Sequence, residues 1–389
     1  MNDFEFMART RVAYGIGRSG RIAEDVKELG GGGDAVLVTD PGLVKAGVAG
    51  KIVSALQSRG VRVTLFSDVQ SDPTSASVDE AAEVIRQSRT GCVIGLGGGS
   101  AMDVAKLASL VAGADHPTEH YALMAHPFAP KKIKTIMIPT TSGTGAEVTS
   151  TVVFSNREKR KVWGWDRDLA PDLAVLDPVL TAALPPHLTA ATGLDALIHA
   201  LEAVAGKRSN PMVKAAGLQA IRMISESLLE AVRKPDNLEA RGRLSVGAML
   251  GGMAIEQGGT GIAHNIGHAL GTLARIHHGR AVAIALYHAY EWNLEGNESV
   301  HAEIAQAMGA ASPGSGSVER QARAGAEFYR SLVRESGIQL SLAEDGLTAA
   351  DAGALAAAMA SPENAPMRDN NCRYASEADL DRLAKLVLN

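Results

Sequence analysis

The strongest constraint on the fold is the alternation of short β-rich runs with amphipathic helical segments in the first half of the chain. Strands that alternate with helices pair in parallel, because each crossover returns the chain to the same end of the sheet. The pattern therefore predicts an α/β domain with a parallel sheet. The predicted strands are AVLVTD (35–40), VRVTLF (61–66), CVIGLG (92–97), IKTIMIP (133–139) and LAVLD (173–177).

Amphipathic segments at 44–59, 78–88 and 102–111 are the predicted helices between these strands. Two further β-rich runs, TSTVVFS (149–155) and RKVWGW (160–165), follow the fourth strand. They predict either an antiparallel hairpin or an edge strand added to the sheet.

The pattern of apolar residues changes after DPVLTAALPPHLTAATG, where apolar positions recur with a period near 3.6 residues. We expect an all-α second domain, with the boundary near 184–187, so that residues 1–185 form an α/β domain and residues 186–389 a helical domain. GAASPGSGSVE (309–319) predicts a surface loop within it. The helical segments are 195–204, 213–232, 240–255 and 263–273, and no comparable strand candidate follows Pro186.

Composition excludes several classes of function. The formal charge is −5 with no basic run, which disfavours nucleic acid and an anionic membrane surface as partners. The start MNDFEFMART does not resemble a signal peptide, and no apolar stretch approaches the roughly 20 residues of a membrane span. Cys92 and Cys372 cannot form a disulfide framework or a thiolate metal site. We expect a cytoplasmic protein.

A glycine-rich turn follows the third predicted strand, in VIGLGGGSAMDVAK (93–106). Glycines allow close approach of a ligand, and the free N–H groups of the next helix favour an anion such as pyrophosphate. The turn predicts a dinucleotide cradle; the alternative is a plain tight βα turn.

Asp40 ends the first predicted strand, where a carboxylate can accept hydrogen bonds from ribose hydroxyls and repel a 2′-phosphate. This favours NAD over NADP, and the alternative is a helix N-cap. A second loop, IPTTSGTGAEVTS (138–150), is predicted to face the same crevice or, alternatively, to cap its own helix. It supplies Thr140, Thr141, Ser142 and Thr144.

Histidines and one aspartate in the second half have the spacing of metal ligands. Asp195 and His199 lie four residues apart, as do His264 and His268, and His278 follows ten residues later. Residues four apart share one helix face, so two such helices can close a coordination shell. Nitrogen and oxygen ligands suit Fe²⁺, Zn²⁺, Mn²⁺ or Ni²⁺. The alternative for each histidine alone is a hydrogen-bonded core residue.

GGGSAMDVAK, IPTTSGTGAEVT, DALIHALEA and GIAHNIGHALG with HHGRA together resemble the iron-containing (group III) alcohol dehydrogenases. The likeness covers nearly the whole chain. It implies the dehydroquinate synthase-like fold, with an α/β N-terminal domain and an all-α C-terminal domain. It also implies a homodimer or larger assembly.

The resemblance assigns roles to residues of this chain. It implies that His268 is a catalytic, non-ligand histidine that passes a proton. The implied metal ligands are Asp195, His199, His264 and His278. The sequence context itself indicates that His277 and His288 are non-ligands, because the neighbour of His277 fits better and His288 stands alone in an apolar run. The implied cofactor-binding residues are Asp40, Gly97, Gly98, Gly99, Ser100, Asp103, Thr140, Thr141, Ser142, Thr144 and Lys161.

Three stretches depart from the family pattern. His277 stands where many relatives have proline, and Cys372 also stands at a position where proline is common. Ile255, Glu256 and Gln257 lie where an aromatic or small apolar wall is expected, which predicts a more polar substrate pocket.

We therefore expect a metal-dependent oxidoreductase that transfers hydride between NAD(H) and an alcohol, aldehyde or ketone. One divalent ion is expected to polarise the substrate oxygen, with Fe²⁺ as the first choice of metal and Zn²⁺ as the second. The metal site is expected to face the nicotinamide across a cleft. The alternatives are a metal-independent maleylacetate reductase-like enzyme, a dehydroquinate synthase-like lyase or cyclase that uses NAD transiently, and a non-catalytic sensor of the cofactor ratio. A small-molecule substrate is the expected partner.

Overall fold

The computed structural model describes residues 3–30 and 34–389 and divides them into two compact units. The α/β unit consists of Met7–Thr141 and Gly145–Ala183. The helical unit consists of residues 3–6, Ser142–Thr144 and Leu184–Asn389.

A six-stranded sheet with the order β1-β8-β5-β4-β2-β3 forms the centre of the α/β unit, and every neighbouring pair is parallel. The five predicted strands are all present, and the predicted parallel pairing is confirmed. A sixth, at the edge, was not predicted, because it has four residues and is mostly exposed. The strands are β1 (Arg11–Tyr14), β2 (Asp34–Val38), β3 (Arg62–Phe66), β4 (Cys92–Gly97), β5 (Lys134–Pro139) and β8 (Leu173–Leu176).

The β-rich runs after β5 form a separate two-stranded antiparallel sheet, β6 (Thr151–Ser155) and β7 (Lys161–Trp165). The predicted hairpin is therefore confirmed, and the alternative of an added edge strand is wrong. Inward-facing Val152, Phe154 and Val162 bury this hairpin in the same core as the helix Gly99–Val111.

The predicted helix at 44–59 is two helices, because Gly47 adopts a left-handed conformation with φ 75° between them. The predicted helices at 78–88 and 102–111 are confirmed and begin three residues earlier. The helices of this unit are α1 (Ile22–Glu28), α2 (Pro41–Lys45), α3 (Val48–Gln57), α4 (Ser75–Ser88), α5 (Gly99–Val111) and α6 (Pro178–Thr181).

The helical unit contains no strand among its described residues, as predicted. Its four predicted helices correspond to α7–α10, and the predicted loop spans the connection between α12 and α13. The helices are α7 (Pro186–Ala205), α8 (Pro211–Arg233), α9 (Leu238–Gly258), α10 (Ile262–Leu273), α11 (His278–Leu294), α12 (Glu298–Ala307), α13 (Val318–Glu335), α14 (Ala352–Met359), α15 (Ala365–Asn370) and α16 (Glu377–Leu388).

Helix α7 is the central helix of this unit and is buried along almost its whole length. It is 20 residues long, and an 18-residue window within it has a mean hydropathy of 1.3, so it meets the length and composition of a membrane span. The expectation that no apolar stretch approaches this length was therefore wrong. However, 89% of the apolar window is buried inside the protein, so packing within the core accounts for its apolarity.

Candidate metal and nucleotide sites

The glycine turn lies at the carboxyl end of β4, a strand that is buried along its whole length. Gly97 has a φ of 151°, and a Cβ there would lie 2.7 Å from the Cβ of Ala101. A Cβ on Gly95 would lie 2.9 Å from that of Ala105. Helix α5 can therefore start close to the strand only because both positions are glycine.

The first turn of α5 has no side-chain cap, and it contains no acidic residue. Its backbone N–H groups form the kind of concave, positively polarised end that binds phosphate. Ser100 donates its hydroxyl hydrogen to the carbonyl of Ser71 at 2.6 Å, which fixes the side chain of one residue in this turn.

Asp40 lies beside the same turn. One carboxylate oxygen, Oδ1, accepts a hydrogen bond from the backbone N–H of Leu43 at 2.9 Å and caps α2. The other, Oδ2, lies 3.5 Å from the position of a Cβ on Gly97. One oxygen of Asp40 therefore acts as the helix N-cap that the alternative predicts. The second oxygen lies close to the glycine turn.

The threonine-rich loop after β5 divides between the two units. Thr140 and Thr141 lie next to the glycine turn: the N–H of Thr140 donates to the carbonyl of Gly97 at 2.9 Å, and a Cβ on Gly98 would lie 3.6 Å from Thr141. Ser142 belongs to the helical unit together with Thr144, and its hydroxyl lies 3.0 Å from that of Ser245.

Two further predicted cofactor residues have contacts within the α/β unit. Asp103 is enclosed, accepts a hydrogen bond from the N–H of Val153 at 3.0 Å and pairs with Lys106 at 3.1 Å. These contacts attach β6 to α5. Lys161 is exposed at the start of β7 and lies 3.4 Å from Asp72. A role of either residue in cofactor binding stays a prediction.

Three predicted metal ligands of the helical unit come together in its core. The ligand atoms of Asp195, His199 and His264 all lie within 4.8 Å of one another, and the three residues are buried. Asp195 and His199 extend from the same face of α7, and His264 extends from the first turn of α10.

His278 joins them from the first residue of α11, with its Nε2 atom 3.7 Å from Oδ1 of Asp195. The Nε2 atoms of His264 and His199 lie 3.5 Å and 3.9 Å from the same oxygen. Four ligand atoms on a tetrahedral cation with bonds of about 2.1 Å are separated by roughly 3.4 Å. The distances to Asp195 therefore fit a shared cation.

Unsatisfied buried atoms support the same interpretation. Oδ1 of Asp195 and Nε2 of His264 are both buried and form no hydrogen bond. A buried polar atom without a partner costs about 1–3 kcal/mol, so a bound ion or water at such an atom is stabilising. A divalent cation between these two atoms would satisfy both.

The electrostatics of the cluster also suit a cation. Burial opposes the ionisation of Asp195, but the imidazoles of His199, His278 and His264 lower the pKa of this carboxyl well below its usual range. Burial lowers the pKa of His199. Asp195 is therefore held as a carboxylate, the protonation state of a metal ligand. Burial lowers the pKa of His264, but the carboxylates of Glu202 and Asp195 raise it overall to about 9, so a cation bound there must displace the proton of this imidazole.

His268 lies beside the cluster. Its ring centroid is 5.2 Å from that of His278 and 6.5 Å from that of His264, and the side chain is partly exposed. It is thus near the cluster without belonging to the group of mutually close ligand atoms.

Sequence reasoning missed two residues at this site. Glu202, on α7, accepts a hydrogen bond from Nδ1 of His264 at 2.7 Å. Its position three residues after His199 was the available signal, because it lies one helical turn along the same helix. Gly279 follows His278 and packs against Ala191 and Asp195 of α7, a contact with no signal in the local sequence.

Comparisons with known proteins agree with the geometry. The model of the iron-containing alcohol dehydrogenases matches residues 9–178, and the model of the C-terminal region of this family matches residues 189–387. The 1,3-propanediol dehydrogenase of Klebsiella pneumoniae is 35% identical over 332 residues, which are 83% of this chain and 84% of that protein.

Two solved structures have the same fold. A 1,3-propanediol oxidoreductase has a TM-score of 0.93 and 31% identity, and the match covers 99% of this chain and 100% of the other. Sulfoacetaldehyde reductase from Bifidobacterium kashiwanohense, in complex with NAD⁺, has a TM-score of 0.90 and 27% identity over 100% of both chains. The chain belongs to the iron-containing alcohol dehydrogenase family and is an oxidoreductase that acts on alcohols and the corresponding carbonyl compounds.

Proposed function

We propose that this enzyme transfers hydride between NAD(H) and a small alcohol or its carbonyl counterpart with the help of one divalent cation held by Asp195, His199, His264 and His278. The observation that carries the proposal is the pair of buried atoms without hydrogen bonds, Oδ1 of Asp195 and Nε2 of His264, 3.5 Å apart. When bound, the cation supplies Lewis-acid polarisation of the substrate oxygen.

The residues of the chain would then have distinct tasks. Asp195 and the three imidazoles hold the ion, and the anionic carboxylate offsets part of its charge. His268 accepts the hydroxyl proton on a ring nitrogen during alcohol oxidation and returns it during carbonyl reduction. Its partial exposure supports this role, because the proton must then reach solvent.

The turn formed by Gly97, Gly98 and Gly99 binds the pyrophosphate, and Asp40 selects NAD over NADP. The free first turn of α5 supports the first assignment. The carboxylate oxygen of Asp40 above the glycine turn supports the second, since it would repel a 2′-phosphate. The relative solved with NAD⁺ supports NAD as a cofactor of this fold.

We propose Fe²⁺ as the native ion and Zn²⁺ as the second choice. Three imidazoles and one carboxylate suit both metals, and the family to which the chain belongs is named for iron. Purification without chelator or nickel resin, followed by metal analysis, tests this assignment. Finding a different metal at one ion per chain would contradict it.

The decisive experiment compares His264→Ala with His187→Ala. His187 is an exposed histidine in the first turn of α7, so its substitution controls for the loss of an imidazole. We expect His264→Ala to lose bound metal and NAD-linked turnover, and His187→Ala to keep both. Full activity of metal-free His264→Ala would refute the proposal.

The role of His268 is tested separately. His268→Gln should retain one ion per chain, while kcat falls by about 10²–10⁴, the usual contribution of a general acid–base group. An unchanged kcat and pH profile would show that the proton leaves by another route.

The substrate panel follows from the relatives. It includes propane-1,3-diol, because of the Klebsiella pneumoniae dehydrogenase, and sulfoacetaldehyde, because of the reductase of Bifidobacterium kashiwanohense. Absorbance of NADH at saturating cofactor ranks the substrates by kcat/KM. The comparisons favour neither the maleylacetate reductase-like alternative nor the lyase or cyclase alternative.

A further inference from the structure

Glu202 occupies a fully enclosed position beside the metal-ligand cluster, and three donors surround its carboxylate. Its Oε2 atom accepts the N–H of Gly261 at 2.7 Å and faces Nδ1 of His264 at 2.7 Å. Its Oε1 atom accepts the N–H of Ala263 at 2.6 Å. The side chain is 1% exposed.

These contacts determine which nitrogen of His264 is free. An ionised carboxylate can only accept hydrogen bonds, so Nδ1 of His264 must carry a hydrogen. In a neutral imidazole the lone pair then lies on Nε2, the atom 3.5 Å from Oδ1 of Asp195 and without a hydrogen bond.

We propose that Glu202 is a positioning residue of the metal site, which fixes the tautomer and ring orientation of His264 so that Nε2 faces the cation. This inference rests on the proposed function, because it assumes that a cation is held there. Carboxylates that accept the second N–H of a metal-bound histidine typically strengthen metal affinity by 10–100-fold.

The backbone around His264 is fixed by the same carboxylate. Gly261, Ile262 and Ala263 donate their N–H groups to side chains: the first and third to Glu202, and Ile262 to Oδ1 of Asn371 at 3.1 Å. Three of the free donors at the start of α10 are thus satisfied by buried acceptors. Glu202 holds both the ring of His264 and the turn from which it extends.

Glutamine cannot reproduce this arrangement although it has the same shape. The two carboxylate oxygens accept from three donors, whereas a carboxamide has one oxygen and one NH₂ group. If the amide oxygen faces Gly261 and His264, the NH₂ group faces the N–H of Ala263, and two donors oppose each other. If the amide is reversed, the NH₂ group faces Nδ1 of His264 and favours the wrong tautomer.

The test measures Zn²⁺ affinity by competition with a chelator in full-length Glu202→Gln and in Glu303→Gln. Glu303 forms a surface ion pair with Lys214, so it controls for the change of one carboxylate to an amide. We expect a 10–100-fold weaker affinity for Glu202→Gln and no change for Glu303→Gln. The visible spectrum of the Co²⁺-loaded protein should also change only in Glu202→Gln.

A double-mutant cycle separates positioning from a general structural effect. His264→Ala should lose its metal on purification, so both variants in this background are titrated with excess Zn²⁺ to measure the weak affinity that remains. If Glu202 acts through His264, Glu202→Gln should not weaken Zn²⁺ binding further in a His264→Ala background. An equal further loss in that background would show that the carboxylate serves only the fold, and would overturn the inference.

A measurement on the unmutated side chain covers the case in which Glu202→Gln does not fold. The Zn²⁺-loaded protein with ¹⁵N-labelled histidine should show an exchange-protected Nδ1 proton that is lost in His264→Ala. Its absence would overturn the inference. If the wild-type protein binds no Zn²⁺, the proposed function fails. If it binds Zn²⁺ and Glu202→Gln binds equally well, only the role of Glu202 fails.

Discussion

Gly279→Ala offers a sharp test of how the metal site is assembled, because it changes no ligand. Gly279 follows His278 at the start of α11 and lies directly against α7. A Cβ at this position would lie 2.9 Å from the carbonyl carbon of Ala191, closer still to its oxygen, and 3.3 Å from the Cβ of Asp195. These atoms belong to backbone or to a ligand residue, so they cannot turn aside.

The size of the effect follows from these distances. Ordinary contact with a Cβ begins near 3.4 Å, so the carbonyl carbon of Ala191 alone requires α11 to move away from α7 by about 0.5 Å, and the closer carbonyl oxygen requires roughly 1 Å. Metal–ligand distances tolerate about 0.2 Å. The movement would therefore withdraw His278 from an ion held by Asp195, and overpacking should lower the free energy of unfolding by about 1–3 kcal/mol.

The assay measures bound metal, the rate of metal loss to a chelator, and NAD-linked turnover. Gly271→Ala is the matched control: Gly271 lies in α10, and a Cβ there meets no atom within 4 Å. We expect the control to keep its metal and to gain up to about 1 kcal/mol in stability. Gly279→Ala should lose metal faster and turn over more slowly. Unchanged metal loss in a folded Gly279→Ala protein would refute the reasoning.

Three further predictions concern the α/β unit. Asp40→Gly should raise kcat/KM for NADP relative to NAD, measured with both cofactors at one alcohol concentration, and an unchanged ratio would remove Asp40 as the selecting group. Burial raises the pKa of Glu147 to about 7 from an ordinary value of 4.5, so the stability contributed by its protonated form is present below pH 4.5 and lost as the pH rises through 7. Urea unfolding should therefore show the stability of Glu147→Gln rising relative to the wild type by roughly 3 kcal/mol between pH 4.5 and 8, and a constant difference would contradict this. Lys106 is fully buried and donates hydrogen bonds to the carbonyls of Ala146, Thr149 and Thr151. Lys106→Met should therefore lower the free energy of unfolding by about 3–5 kcal/mol. A loss below about 1 kcal/mol would show that the ion pair with Asp103 is not needed for stability.

Most of the fold was predictable because it follows from local periodicity. Strands β2, β3, β4, β5 and β8 are runs of apolar residues long enough to be recognised, and their separation by helices requires parallel pairing. Edge strand β1 was not predictable, since four mostly exposed residues carry no periodic pattern. The break at Gly47 was also missed, because a single glycine does not reveal its left-handed conformation in advance.

The candidate site was likewise predictable only where it depends on residues that are close in the chain. The four-residue spacing of Asp195 and His199 places both side chains on one helix face, and this follows from the sequence alone. Which further histidines approach them depends on how α10 and α11 pack on α7, and the sequence supplied only a family resemblance for that step.

The sequence by itself determined the alternation of strands and helices, the glycine turn and the pairing of ligand types on one helix, because each depends on neighbours in the chain. Only the tertiary structure decided that Glu202 binds Nδ1 of His264 and that Gly279 allows α11 to approach α7. Both contacts join segments that are at least 60 residues apart in the chain. At such separations the spacing along the chain does not determine the distance between two side chains, which depends on how the helices pack.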